Sequence, residues 1–350
     1  MESSELAIYP SPEGVCHVLL EDGRAVEYLV DDQSARPRRL DLYLGVVKRI
    51  TPAIKGVFID IGDDHDALLN LGEAPVSVRC GQRLIVQIKR ITGDGKGHQV
   101  TTRIQLPGPY AVVRIGETEK RRSKLLAFPP DQQEKLFQQD LVRLQSLWRH
   151  IQDDSTSGPA PRRLYPLGHP LYMALISFLS AKTRQIRIEG DVLFAQVYQQ
   201  IQELMPEYLP LLSLYRPGDG YGLASALSLA GLPEQLRRSK IWLDHGGYLI
   251  IEHTEALTVA DVNSGRDIQG KTDADLRLRT NLEAAAELAR QIRLRNIGGI
   301  IIVDFVNLGD DEARSRVQEA LKQALASDRA HCRLVGFTGL GLYEMTRTAL

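Results

Sequence analysis

Two aspartates stand at the ends of apolar runs, one in Leu257-Thr-Val-Ala-Asp-Val-Asn-Ser-Gly-Arg266 and one in Gly299-Ile-Ile-Ile-Val-Asp-Phe-Val306. A carboxylate at the tip of a buried strand is costly unless something positive sits on it. Between the runs lies a strand–helix–strand unit of ordinary crossover length. The two strands are therefore expected to be near neighbours, with Asp261 and Asp304 meeting at one sheet edge. Carboxylates placed a few ångströms apart repel, and a divalent cation resolves the repulsion. Mg²⁺ suits an all-oxygen site of one or two carboxylates, waters and a substrate phosphate. Asn263, two residues past Asp261, points the same way on an extended chain and can add an amide to a ligand or a phosphate oxygen. The structural alternative is that such aspartates cap turns, and Asp-x-Asn-Ser-Gly is a good turn sequence. His245 and His253 lie nearby and are read as structural.

The elements that must position these residues form an alternating pattern from about residue 237 onward. Strands are predicted over 240–244, 248–253 and 256–262, then a helix over 272–295 stopped by Gly298-Gly299, a strand over 299–305, a helix over 311–327 and a strand over 332–337. This is an α/β layer with mixed strands. Upstream, residues 1–38 read as short strands with an Asp-Gly hairpin turn, followed by a basic link, Ala35-Arg-Pro-Arg-Arg39. Five strand-like runs between residues 40 and 105 suggest a small closed barrel of the oligonucleotide-binding type. Gly93-Asp-Gly-Lys-Gly97 lacks the spacing of a phosphate loop and is read as a hairpin turn. Residues 106–235 are less readable: helices are predicted over 130–150, 170–182 and 191–205, a strand over 185–188, and a linker over 152–161.

The 350 residues carry a net charge of −1, which excludes a uniformly basic nucleic-acid binder but not a local basic face. Among the basic clusters, the helix face with Arg290 and Arg293 is expected to carry backbone phosphates, with a solvated helix face as the alternative. The three cysteines are far apart, which fits a reducing cytoplasm and no structural zinc. The N-terminus does not read as a signal peptide, and no apolar run is long enough to span a membrane.

Asp261-Val-Asn-Ser-Gly265, Thr280-Asn-Leu-Glu-Ala-Ala285, Ala289-Arg-Gln-Ile-Arg-Leu-Arg295, Gly298-Gly-Ile-Ile-Ile-Val-Asp-Phe305 and Gly341-Leu-Tyr-Glu-Met-Thr-Arg347 resemble the catalytic region of the bacterial RNase E/RNase G endoribonucleases. Tyr43-Leu-Gly-Val-Val-Lys-Arg-Ile50 and Gly56-Val-Phe-Ile-Asp-Ile-Gly62 resemble that family's RNA-binding barrel. The resemblance implies an α+β, multi-subdomain fold. An RNase H-like subdomain would comprise residues 1–38 and 186–236, with an inserted OB-type RNA-binding barrel at 39–105 and a reduced 5′-sensor-like region at 106–185. A DNase I-like α/β catalytic subdomain would follow at 237–350. It further implies that Asp261 and Asp304 are the Mg²⁺ ligands, with Mn²⁺ as an alternative metal, and that Asn263 orients the scissile phosphate. In the barrel it makes Phe58 a base-stacking aromatic and Lys96 an RNA contact.

This sequence departs from the family pattern at three points. Leu68 replaces a second barrel aromatic, and one lost stack costs about 1–3 kcal/mol. The Arg-Thr turn that senses a 5′ monophosphate has no counterpart between residues 106 and 185. The family's cysteine pair is absent, so an oligomer joined through zinc is not expected, although another oligomer is compatible with the sequence. The expected activity is Mg²⁺-dependent endonucleolytic cleavage of single-stranded RNA, giving 5′-phosphate and 3′-hydroxyl ends, in cytoplasmic RNA processing or decay. The alternatives are a non-catalytic or weakly active RNA-binding relative and, less favoured, a DNA nuclease.

Overall fold

The computed structural model describes residues 3–93, 95–218, 220–264 and 273–349. The chain forms two compact units: Met1–Ala7, Val18–Tyr28 and Pro217–Leu350 make one, and Ile8–His17 and Leu29–Arg216 make the other. Strands β1 (Ser4–Ser11), β2 (Gly14–Glu21) and β3 (Arg24–Asp31) thread both. The turn between β2 and β3 holds Asp22 and Gly23 at φ 46° and 79°. Those mirror-image angles match the twist of a hairpin, as the Asp-Gly pair predicts.

The expected barrel is present. β4 (Leu42–Thr51), β5 (Gly56–Asp60), β6 (Ala67–Asn70), β7 (Arg83–Arg90) and β8 (Gln99–Thr101) pair in the order β4-β5-β6-β8-β7, and β7 returns to β4 to close the ring. Alternate residues fill the interior, among them Val47, Val57, Ile59, Leu69, Val86 and Ile88. Gly45 is required by close approach across the wall, because a Cβ there would lie 2.4 Å from the Ile59 side chain. β7 and β8 are antiparallel neighbours, and the glycine-rich stretch read as a hairpin turn lies between them in the chain, with Asp94 outside the described residues. The Thr92 hydroxyl steadies it from 2.9 Å off the Lys96 and Gly97 carbonyls.

Three short strands, β9 (Gln105–Pro107), β10 (Ala111–Arg114) and β11 (Lys120–Arg121), form a small antiparallel sheet. Helix α1 (Pro130–Ser155) runs into the stretch read as linker. Its buried Asp140 accepts hydrogen bonds from the Tyr110 and Ala111 amides at 2.8 Å, which locks the small sheet to the helix. β12 (Arg162–Tyr165) pairs with β4 as a further barrel strand that the sequence reading did not contain. Then come α2 (Pro170–Phe178), β13 (Thr183–Glu189), α3 (Asp191–Leu204) and β14 (Leu212–Tyr215). β14 runs parallel to β13 in a five-stranded sheet ordered β14-β13-β1-β2-β3.

After short helices α4 (Leu223–Ala226) and α5 (Leu232–Arg237), the last sheet begins. It contains β15 (Lys240–Trp242), β16 (Tyr248–His253), β17 (Leu257–Asn263), β18 (Gly299–Asp304), β19 (Cys332–Phe337) and β20 (Tyr343–Arg347), in the order β15-β16-β17-β18-β20-β19. Helix α6 (Asp273–Leu294) connects the parallel strands β17 and β18, and α7 (Asp311–Ala324) follows. Ala284, Ala285, Leu288, Ala289 and Ile292 of α6 pack with Val317 and Leu321 of α7 onto Ala260, Val262, Ile301 and Val303. Each fully buried valine, leucine or isoleucine among these contributes about 1.5–3 kcal/mol. The alternate residues of β17, namely Val259, Asp261 and Asn263, remain half-exposed on the other face.

Two details differ from expectation. α6 ends at Leu294, and the left-handed residue is Asn296 at φ 49°, ahead of the glycine pair thought to stop it. β20 was not foreseen, and it lies between β18 and β19. Its Arg347 forms a fully buried ion pair with Asp328 at 2.7 Å and also donates to the Ile297 carbonyl at 2.8 Å. No helix among the described residues is long and apolar enough to cross a membrane.

Candidate active site

β17 and β18 pair in parallel, and Asp261 lies directly opposite Asp304 in the register. Neighbouring strands are about 4.8 Å apart, so the backbone ladder sets the two carboxylates side by side at the carboxyl ends of their strands. Asp261 is half-buried and Asp304 is exposed. Asn263, on the same side of β17, donates its Nδ2 hydrogen bond to Asp261 Oδ2 at 2.7 Å. The predicted trio is thus brought together, and Asn263 acts first on Asp261, holding one of its oxygens.

These donors fit a hard cation. Both ligands are carboxylates, they stand in register on rigid strands, and a neighbouring amide fixes one rotamer. No cluster of three or more His, Cys, Asp or Glu that could hold a metal occurs among the described residues. A cation here would be held by two carboxylates and would keep several waters, as Mg²⁺ does. A zinc-type site would ask for more protein ligands.

Two supporting residues, Asn281 and Glu283, lie in the Thr280–Ala285 motif of the sequence reading, which gave neither a role. Asn281 is fully buried on α6 and bonds the backbone of Val306 twice, donating to its carbonyl at 2.7 Å and accepting from its amide at 2.9 Å. It thereby fixes the chain two residues beyond Asp304. Two residues on, Glu283 accepts from the Asp244 and His245 amides, and its Oε2 lies 2.9 Å from His245 Nδ1. The start of α6 therefore clamps both the β15–β16 turn and the exit of β18. Gly247 in that turn cannot carry a side chain, since a Cβ would sit 2.8 Å from the Asn263 carbonyl. The available signal was an Asn and a Glu set among the apolar positions of an otherwise core-facing helix. His245 is the partner of Glu283, and His253 lies 2.9 Å from the Thr258 hydroxyl.

Arg290 and Arg293 require a correction. The Arg293 side chain is only 5% exposed and is ion-paired to Glu21 at 2.8 Å and to Glu27 at 3.5 Å. It also donates to the Ser327 hydroxyl at 2.9 Å. Arg290 donates to the Ala25 carbonyl at 2.7 Å and is paired to Glu287. A guanidinium needs such partners to be buried at all. The helix face expected to bind phosphates is instead the seam that joins α6 to β2 and β3.

In the barrel, Phe58 sits opposite Leu68 on one side and opposite Arg49 on the other. The Arg49 guanidinium lies 4.4 Å from the Phe58 ring centre, a cation–π contact. Leu68 pairs in turn with Gln99, and its amide donates to the His98 carbonyl at 2.8 Å. Arg49, Phe58, Leu68 and Gln99 therefore form one row across four strands, pointing away from the barrel interior. Exposed Lys96 is two residues from His98, in the turn beside that row. Asp261, Asn263 and Asp304 belong to one unit and Phe58 and Lys96 to the other.

The profile of the Ribonuclease E/G family matches residues 130–350. The chain is similar to ribonuclease G of Haemophilus influenzae, with 30% identity over 399 residues, covering 99% of this chain and 80% of that protein. It is 29% identical to ribonuclease G of Escherichia coli K12 over 397 residues, with the same coverage. It is 30% identical to ribonuclease E of a Synechocystis species over 349 residues, covering 88% of this chain and 52% of that protein. Carrying both the matched profile and this near-complete similarity, the chain belongs to the Ribonuclease E/G family.

Proposed function

We propose that this protein is a Mg²⁺-dependent endoribonuclease that cleaves single-stranded RNA to leave 5′-phosphate and 3′-hydroxyl ends. The observation that carries the reading is the in-register pairing of Asp261 with Asp304, with Asn263 bonded to Asp261. The names of the similar proteins, ribonuclease G and ribonuclease E, support it. On this reading the six-stranded sheet with α6 and α7 is the DNase I-like catalytic part, the sheet of β1–β3, β13 and β14 is the RNase H-like part, and the work is cytoplasmic RNA processing or decay.

Asp261 and Asp304 would hold the metal, which when bound supplies charge to the phosphoryl oxygens and a water acidic enough to attack. Asn263 keeps Asp261 in one rotamer and presents its amide to the phosphate. Asn281 keeps the end of β18 from shifting and Glu283 holds the neighbouring β15–β16 turn, which keeps the reacting groups in line. The water oxygen bonds to phosphorus, the bond from phosphorus to the 3′ oxygen breaks, and that oxygen leaves with a proton. Phe58 stacks a base and Lys96 meets the backbone, so an unpaired strand is the preferred substrate.

The test is cleavage of a short A/U-rich single-stranded RNA with Mg²⁺, carrying either a 5′-monophosphate or a 5′-hydroxyl, by wild type and by Asp304→Asn. Metal-dependent cutting that disappears in Asp304→Asn, at equal rates for both ends, is the expected result. RNA bound but left intact with every metal tried would replace this reading with that of a non-catalytic RNA-binding relative. Leu68 is the residue that would favour it. Equal cleavage of a matched DNA strand would instead favour a general nuclease.

A further inference from the structure

The carboxylate row continues across the sheet. In the β15–β16 pair Trp242 is opposite Tyr248, and in the β16–β17 pair Tyr248 is opposite Asn263. Directly opposed residues put their side chains on one face, about 4.5–5.5 Å apart. Trp242, Tyr248 and Asn263 thus make one row. Lys240, Ile250, Asp261 and Asp304 make the row beside it on that same face. The intervening residues Ile241, Leu249 and Val262 pack toward the helices, which fixes the face.

The three residues at the far end form a compact group. The Lys240 ammonium lies 4.1 Å from the Trp242 ring centre and 3.7 Å from that of Tyr248. The two rings meet edge-on at 5.4 Å. Trp242 remains 66% exposed, so most of its surface is free. Among the described residues Lys240 pairs with no carboxylate, and its charge is offset only by the ring faces. Packing alone explains one aromatic resting on another. It does not explain an open indole on the row that leads to Asn263 and a cation on the row that leads to Asp261, each two strands away.

We propose that Trp242, Tyr248 and Lys240 form a base-stacking shelf for a nucleotide flanking the scissile phosphate of single-stranded RNA. The proposal rests on the ribonuclease reading above. The indole offers a π-face to any base, which suits binding without sequence preference. The ammonium beside it meets a backbone phosphate and offsets the negative charge that Asp261 and Asp304 would otherwise present to the strand. The rigid sheet holds shelf and carboxylates at a fixed distance, so a stacked base sets which phosphate reaches Asp261.

Trp242 and Trp148 are the two tryptophans of the chain, so a Trp148→Phe background makes Trp242 the sole reporter. In Asp304→Asn on that background, titration with the A/U-rich RNA should quench Trp242 emission saturably, while an abasic strand of equal length should not. With the metal-loaded active protein, Trp242→Ala should raise KM about 5- to 100-fold with kcat nearly unchanged, and Trp242→Phe should restore most of it. Lys240→Gln is the second variant and should lower the salt dependence of binding by roughly one phosphate contact. Unquenched emission together with an unchanged KM in Trp242→Ala would overturn the shelf and leave the nuclease reading intact. A wild type that quenches but never cuts would overturn the nuclease reading and leave the shelf standing.

Discussion

The carboxylate sheet and the barrel both present ligand-facing residues from alternate strand positions, yet they hold them differently. In the sheet, Asn263 bonds Asp261, and Asn281 and Glu283 lock the flanking chain. In the barrel, Phe58, Leu68 and Arg49 stand on the outer face of a closed ring whose interior is filled independently of them. Asn281, fully buried and bonded twice to the backbone of Val306, cannot change without a loss of order. A residue on the outside of a filled barrel can change at the cost of its own contact. Leu68, where the family pattern has an aromatic, is a change of the second kind.

Substitutions can break this contrast or sharpen it, and the largest effect should come from the sheet. Asp261→Asn is expected to lower the cleavage rate more than about 100-fold, with melting temperature nearly unchanged in a thermal scan. Next, Arg347→Met should cost about 3–5 kcal/mol by urea unfolding, because it strands Asp328 in the core. Burial would push the Asp328 carboxyl up, but hydrogen bonds from Arg347 and the Ala330 amide bring it below the usual carboxylate range.

The barrel-bearing unit has its own buried titratable group. Burial pushes the His17 imidazole down to about 4, against the pull of the Leu29 backbone and Asp31. Below pH 6.5 the unfolded chain gains a proton that the folded chain refuses until about pH 4. Stability should therefore fall as pH drops through that window, by roughly 3 kcal/mol in all. The pH dependence of Tm should flatten in His17→Gln, and an unchanged slope would count against it.

Asn281→Ala should cost about 1–3 kcal/mol of stability and roughly 10-fold in cleavage rate at saturating RNA. A loss confined to stability would mean that the clamp does not position Asp304. The smallest effects belong to the barrel. Phe58→Ala should weaken RNA binding by about 1–3 kcal/mol with no change in kcat, and Leu68→Phe should tighten it by up to a similar amount. If Leu68→Phe instead unfolds the protein, the outer row is not free to vary and the contrast fails.

The sequence carried the carboxylate site well, because apolar runs of β17 and β18 and the long period of α6 are strong local signals. The crossover length then implied that the strands were neighbours, and the register made Asp261 and Asp304 partners. β20 escaped because one of its inward residues is Arg347, whose charge masks the alternation of Tyr343 and Met345. Arg290 and Arg293 were misread for a related reason. The partners of Arg293, Glu21 and Glu27, are separated from it by 272 and 266 positions in the chain, and no local pattern reports such a distance. Within residues 106–216 the helices were legible by periodicity. The strands β9 to β12 have at most four residues each, too short for alternation to register.

Both margins of the carboxylate sheet are blunted. β15 is three residues long and carries Lys240, while β19 is interrupted by a bulge between Leu334 and Gly336 and displays Arg333. Short, charged or bulged edges are poor templates for a foreign strand. The protein can thus leave Trp242 and Ile300 on a half-exposed face, 66% and 49% accessible, without inviting other copies to extend the sheet. Its tolerance for an uncovered sheet face is secured by the short, charged and bulged edges that bound it.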